Sequence, residues 1–133
     1  MKLQKIVSRL QKLHPKEIDL SLDRIKILCE KLGNPQDKIK AISVVGTNGK
    51  QSTINAIFSI LKEAKVQCNV YTSPHIQKIN ERFVFDNNML KDDELVDLFE
   101  EIEKINDQNP LTFFEALSAC YFYKAAQYPD NIN

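Results

Sequence analysis

A chain of 133 residues, 43% of them hydrophobic, has room for one domain with a real apolar core. Its 18 Lys and Arg balance its 18 Asp and Glu, so no net field recruits nucleic acid or an anionic bilayer. No apolar run reaches the length of a membrane span, and Met1–Lys5 leads into an amphipathic segment without a signal peptide's apolar centre, so the expected location is the cytoplasm.

In chain order, Leu3, Ile6, Val7, Leu10 and Leu13 share one helical face, and His14-Pro15 stops that helix. Leu22, Ile25, Leu28 and Leu32 repeat the pattern up to Gly33, which is placed to end a second helix in a left-handed conformation. Cys29, Cys68 and Cys120 are odd in number and embedded in apolar patterns, which points to buried thiols, not disulfides or a metal site. Ala41–Val45 reads as a buried strand, and Ile54, Ile57, Phe58 and Leu61 as the core face of the helix after Lys50. Val66–Tyr71 reads as a second, parallel strand after a right-handed crossover. Arg82–Phe85, Asp86-Asn87-Asn88 and Met89-Leu90 suggest a small hairpin or an irregular excursion. Asp92 is a cap for a helix through Leu95, Leu98, Phe99 and Ile102, and Thr112 for another running from Phe113 to about Gln127. The fold class is therefore α/β, a P-loop mononucleotide-binding fold with a parallel sheet and flanking helices. It reads as incomplete, because two strands make a thin sheet and the last helix leads into no further strand.

The stretch that carries chemistry is Val45–Thr53, VGTNGKQST. Gly46 and Gly49 let the backbone turn so that its N–H groups converge, the helix from Lys50 adds the positive end of its dipole, and Lys50 supplies a full charge. A hydroxyl follows at Ser52 or Thr53, where it could meet a phosphate-bound Mg²⁺. The spacing departs from G-x-x-x-x-G-K-[ST]: Val44 stands at the first glycine and Gln51 at the hydroxyl position. A strand, a turn and a helix with an incidental Gly-Lys is the plain alternative.

VGTNGKQST, YTSPHIQKINERF at Tyr71–Phe83, LTFFE at Leu111–Glu115 and HPKEIDLSLDRI at His14–Ile25 occur in an order that resembles the N-terminal part of the folylpolyglutamate synthase/dihydrofolate synthase family, within the ATP-dependent Mur-ligase superfamily. The resemblance implies that residues 1–133 are the N-terminal part of the ATP-binding domain, truncated, with the C-terminal domain absent. It implies an amide ligase in which ATP phosphorylates a pteroate or folate carboxylate and the amino group of L-glutamate attacks the acyl phosphate, with ATP and Mg²⁺ as cofactors and a monomeric complete enzyme. Gly46, Thr47, Asn48, Gly49, Lys50, Gln51, Ser52 and Thr53 would form the ATP site, with Lys50 catalytic.

On the same resemblance, Ser73 is a metal ligand, beside the loop hydroxyl Ser52, and Asp19, Leu20, Ser21, Leu22, Thr112 and Glu115 contact the substrate, with Phe113 or Phe114 placed to stack on its pterin ring. Each position has a plainer alternative. Ser73 with Pro74 can start a helical turn, Thr112 and Glu115 form a capping-box pattern, Phe113 and Phe114 can be core, and Asp23-Arg24 can be a solvated ion pair. His75 belongs to the matched loop but reads as readily as packing, and Glu81-Arg82 reads as a surface ion pair that carries no assigned role. Gln51 departs from the family, which usually has glycine there. The sequence lacks the family's later EVG glutamate, metal-binding histidine and modified lysine, so the isolated 133 residues are expected to be inactive as a ligase. Two other readings stand beside this one: another Mur-superfamily ligase, against which LTFFE and Asp19–Leu22 argue, and a non-catalytic nucleotide-binding module.

Overall fold

The computed structural model describes residues 1–16 and 19–133; Glu17 and Ile18, within the His14–Ile25 stretch, lie outside the described residues. Five helices run α1 Lys2–Gln11, α2 Asp23–Lys31, α3 Lys50–Glu63, α4 Asp92–Asn106 and α5 Phe113–Ala125, with short 3₁₀ turns at Pro35–Lys38 and Ile79–Arg82. Three short strands, β1 Val70–Tyr71, β2 Phe83–Phe85 and β3 Asn88–Met89, form an antiparallel sheet in chain order.

The helices end as their sequences dictate. After α2, Gly33 has φ +81°, its N–H donates to the Glu30 carbonyl (3.1 Å), and the Asn34 N–H donates to Cys29 (2.7 Å). This paired closure caps the last-turn carbonyls of the helix. Lys91, not Asp92, is the cap residue of α4: its N–H donates to the Glu94 carboxylate at 2.8 Å, while Asp92 accepts instead from the Asn80 amide at 2.9 Å. The β2–β3 hairpin turns on Asp86 (φ 51°) and Asn87 (φ 64°), and positive φ at both central positions matches the right-handed twist of the strands it joins.

The core gathers α1, α2, α4 and α5 over β2. Ile6, Leu10, Leu28, Phe83, Leu95, Phe99, Ile102 and Leu117 are buried, and Phe83 meets Phe99 edge-on at 5.7 Å between ring centroids. Helix α5 buries residues all around its axis, as expected of the helix at the centre of the packing. All three cysteines are buried and free.

The parallel part of the sheet is less developed than the sequence predicts. Ala41–Val45 forms no ladder, and Ile42 and Val45 are exposed. Of the Val66–Tyr71 run, only Val70–Tyr71 is a regular strand, and its named partner is the antiparallel β2. The parallel sense survives in single bridges: Ile132 pairs with Lys40 on one side and with Cys68 on the other. The Ile42 N–H donates to the Asn133 carbonyl (2.7 Å), and the Asn69 N–H to that of Ile132 (2.8 Å). Extended chain does follow the last helix, then, and it lies between the two predicted strands and keeps them apart. The physical reason for the missing regularity is the shortness of this pairing: a strand needs a partner along its length, and Val44 and Val45 have none among the described residues.

Buried amides hold the junction. Asn69 donates to the Asn133 side-chain oxygen (3.0 Å) and accepts from Asn131 (3.1 Å) and from the Asp86 N–H (3.0 Å); Tyr121 also donates to Asn133 (2.8 Å). Every buried polar group in this set has a partner, which low dielectric makes obligatory.

Candidate functional site

The Gly46–Lys50 turn owes its form to backbone, not packing. Gly46 has φ +148° and Gly49 φ +77°, and Gly49 is the cap residue of α3. A Cβ on Gly49 would meet nothing within 4 Å, so glycine is favoured here by its left-handed conformation and not by lack of space. The Lys50 ammonium folds back onto the Gly46 carbonyl, closing the loop on itself. Thr53 spends its hydroxyl on the Gly49 carbonyl (2.9 Å), whereas Ser52 makes no side-chain hydrogen bond among the described residues and is exposed. Gln51 is tied to Asn55 one turn on (3.0 Å). Thr47 and Asn48 are exposed at the tip.

Behind the loop lies an apolar cleft of about 440 Å³, walled by Ala41–Val45, by Ile54, Ile57, Phe58 and Leu61 of α3, and by Val70 and Tyr71. Ser73 and Phe114 also line it, so the structure brings the predicted metal serine and one predicted aromatic contact to the wall that leads into the loop. This cavity is lined by side chains suited to apolar groups; the glycine turn that would face phosphate is at its end, beyond Val45. No residue of α3 is buried, and its apolar face looks onto the cleft half-exposed.

The Ser73 loop is braced from both sides. Glu81 accepts the N–H groups of Ile76 (2.9 Å), Gln77 (2.8 Å) and Lys78 (2.8 Å), and these bonds hold its carboxyl below the usual glutamate range. Arg82 Nε donates to His75 Nδ1 at 2.9 Å, which makes that nitrogen the acceptor and places a neutral ring's proton on Nε2. Glu81 and Arg82 are thus not an ion pair with each other: each ties the loop down independently.

A second polar cluster joins the predicted substrate segments. Thr112 and Glu115 form the reciprocal cap of α5: the Glu115 N–H donates to the Thr112 hydroxyl (3.2 Å) and the Thr112 N–H to the Glu115 carboxylate (2.9 Å). Both side chains are buried. Arg24 then forks onto the same carboxylate through Nε (3.1 Å) and Nη2 (2.9 Å), and Nη2 also donates to the Asp19 carbonyl (3.1 Å). Arg24 therefore does not pair with Asp23, whose N–H instead finds the Ser21 hydroxyl at 3.3 Å. Leu20 and Leu22 stand exposed, Phe113 is half-buried and Phe114 is 40% exposed. Arg24 is the residue that sequence reasoning passed over; the cue available was Glu115, a buried carboxylate that its own N-cap cannot fully satisfy.

Three further shifted groups are packing groups. Burial pushes the Tyr71 and Tyr121 hydroxyls and the Cys120 thiol up, keeping all three neutral. Among the described residues no three His, Cys, Asp or Glu side chains converge as a metal cluster, and no helix is long and apolar enough to cross a membrane.

With this geometry the chain can be compared with known proteins. No protein-family model matches it. Dihydrofolate synthase/folylpolyglutamate synthase from Escherichia coli is 37% identical over 123 residues, covering 91% of this chain and 29% of its own length; that from Haemophilus influenzae is 40% identical over 123 residues, covering 91% and 28%. The solved E. coli FolC in complex with DHPP and ADP superposes with a TM-score of 0.89 at 31% identity, over 98% of this chain and 31% of that one. This chain belongs to the folylpolyglutamate synthase/dihydrofolate synthase family. It has the fold of that family, incomplete, and spans under a third of the length of these curated relatives. An FPGS–AMPPCP–folate complex (TM-score 0.88, 29% identity, 99% of this chain and 34% of that one) and the Mycobacterium tuberculosis enzyme complexed with ADP (0.87, 29% identity, 98% and 31%) extend the likeness to nucleotide-bound relatives of this family.

Proposed function

We propose that this chain carries the ATP-phosphate site and part of the pterin-substrate site of a ligase that adds L-glutamate to dihydropteroate, a folate, or both, through an acyl phosphate. Residues 1–133 would be the N-terminal part of the ATP-binding domain, with the rest of that domain and a C-terminal domain supplied outside this sequence, and the complete protein a cytoplasmic monomer. The observation that carries the reading is the Gly46–Lys50 turn: two glycines at positive φ open directly into the N-terminus of α3, beneath a lysine that, among the described residues, only a backbone carbonyl restrains. Exchanging that carbonyl for a phosphate oxygen would trade a neutral acceptor for a charged one, and the preorganised N–H groups would stabilise charge as the phosphoryl group moves.

The chemistry of the donors fits Mg²⁺ only in partnership with the nucleotide. Ser52 and Ser73 offer exposed hydroxyl oxygens, and Mg²⁺ is ordinarily held by one or two protein oxygens, phosphates and water. Ser52 and Ser73 would hold the ion, which would supply positive charge against the nucleotide phosphates. Phe114 is exposed enough to stack on a pterin ring.

Titration calorimetry of the 133-residue chain should show Mg·ATP binding no tighter than about millimolar, since backbone N–H groups still attract phosphate where the other ligands are lacking, and weaker again in Lys50→Ala with an unchanged fold. In a chain extended to full length with the E. coli sequence, Lys50→Ala should cost about 3–4 kcal/mol of transition-state stabilisation. Wild-type turnover in that variant, or glutamate-dependent ATP hydrolysis that neither dihydropteroate nor folate stimulates, would remove the assignment.

A further inference from the structure

We propose that Arg24 is a positioning residue: it locks the Asp19–Leu22 loop to the first turn of α5, so that the apolar side chains on both present one surface to the aromatic part of the substrate. The inference rests on the pterin-ligase reading above and assigns a role to a residue outside the predicted contacts.

The usual distribution of polarity is inverted here. Thr112, Glu115, Arg24 and Asp19 turn their polar atoms toward one another, while Leu20 is 99%, Leu22 66% and Phe114 40% exposed. Buried polar groups beside exposed large apolar ones mark a surface built for something other than stability. A guanidinium suits this junction because its planar fork makes three directed bonds at once, two to the Glu115 carboxylate and one to the Asp19 carbonyl, and its remaining Nη1 lies 3.6 Å from the Asp19 carboxylate. Lysine, a single point donor, can hold Glu115 or Asp19 but cannot fix the angle between them. Glu115 is itself fixed by the cap of α5, and so Arg24 transmits the position of that helix, and of Phe114 upon it, to the loop carrying Leu20 and Leu22.

The test titrates the 133-residue chain separately with dihydropteroate and with Mg·ATP, following amide shifts by NMR, in wild type, Arg24→Lys and Arg24→Ala. The expected result is that Arg24→Lys melts where wild type does, binds Mg·ATP unchanged, and binds dihydropteroate roughly ten- to hundredfold more weakly. Arg24→Ala should lose dihydropteroate further, and if it fails to fold the lysine variant decides alone. Wild-type dihydropteroate affinity in Arg24→Lys overturns the proposal, as does parallel weakening of both ligands with a lowered melting point, which is the signature of a merely structural tie. If the wild-type chain binds Mg·ATP but no dihydropteroate, the pterin-ligase reading falls and takes this inference with it.

Discussion

The four helices packed on β2 and the loop–helix unit from Ala41 to Glu63 are built on opposite principles. In the first, Ile6, Phe83, Phe99, Ile102 and Leu117 are each at most 1% exposed and come from elements far apart in sequence. In the second, α3 buries nothing, and the conformation that matters is held by two glycine dihedrals and one lysine folded onto its own loop. The difference teaches that a glycine turn can be specified locally while the scaffold that carries it is specified globally. Damage to the two should therefore read out separately.

The largest separation is expected from truncating an aromatic ring in each region. Phe99→Ala should destabilise by about 3–5 kcal/mol and lower the thermal midpoint steeply, whereas Phe58→Ala on α3 should cost about 1 kcal/mol or less by calorimetry. Equal losses would mean that the two regions form one core. Next in size, Thr112→Ala removes the buried cap of α5 and should cost about 1–2 kcal/mol of global stability. Thr112→Ser should restore most of it. Gly49→Ala should strain the loop by roughly 1 kcal/mol, weakening Mg·ATP binding and leaving the melting point nearly where it was. A drop in melting point as large as that of Thr112→Ala would show that the loop is coupled to the core.

The smallest effect is one of pH. Because the folded carboxyl of Glu81 is held below its unfolded value, the ordering it confers is complete above the usual glutamate range, about 4.3, and is lost as pH falls from there through the depressed value. Amide exchange at Ile76, Gln77 and Lys78 should quicken over that window while Phe99 stays protected. Uniform quickening would indicate general acid unfolding instead.

What could be read from sequence follows the same division. The faces of α1, α2, α4 and α5, the stop at Gly33 and the glycine turn at Gly46–Gly49 are local patterns, and periodicity or a required dihedral exposes them. The antiparallel hairpin was legible for the same reason, since Asp86-Asn87 is a turn signal in itself. Ala41–Val45 was misread as a formed strand because its apolar run says nothing about the length of its partner, and the only pairing among the described residues comes from Ile132 and Asn133. Nothing local marks the tie of Arg24 to Glu115, which is 91 positions away, so the sequence offers Asp23 as its only neighbouring alternative. The buried amides of Asn69 and Asn131 gave no signal, since asparagine in an irregular stretch ordinarily reads as surface turn. The glycine turn was therefore legible in the sequence, and the ties that depend on contacts across the fold were hidden.

The bridge at Asn133 also bears on the order in which the molecule opens. Its N–H and side-chain amide both donate to the Lys40 carbonyl, at 2.9 and 3.1 Å, across a separation of 93 residues, while its side-chain oxygen accepts from Asn69 across 64 and Asn131 donates to Asn69 across 62. Contacts that close loops so long carry a larger entropy cost than a two-residue hairpin turn, and little apolar burial beside Ile42 offsets it. The amides of Ile42 and Asn133 should accordingly exchange with solvent well ahead of those in β2 and α5, by a local opening that leaves the helices intact. Each such opening would release Lys40–Ile42, the stretch that leads into the Gly46–Lys50 turn, while the helical core stays packed.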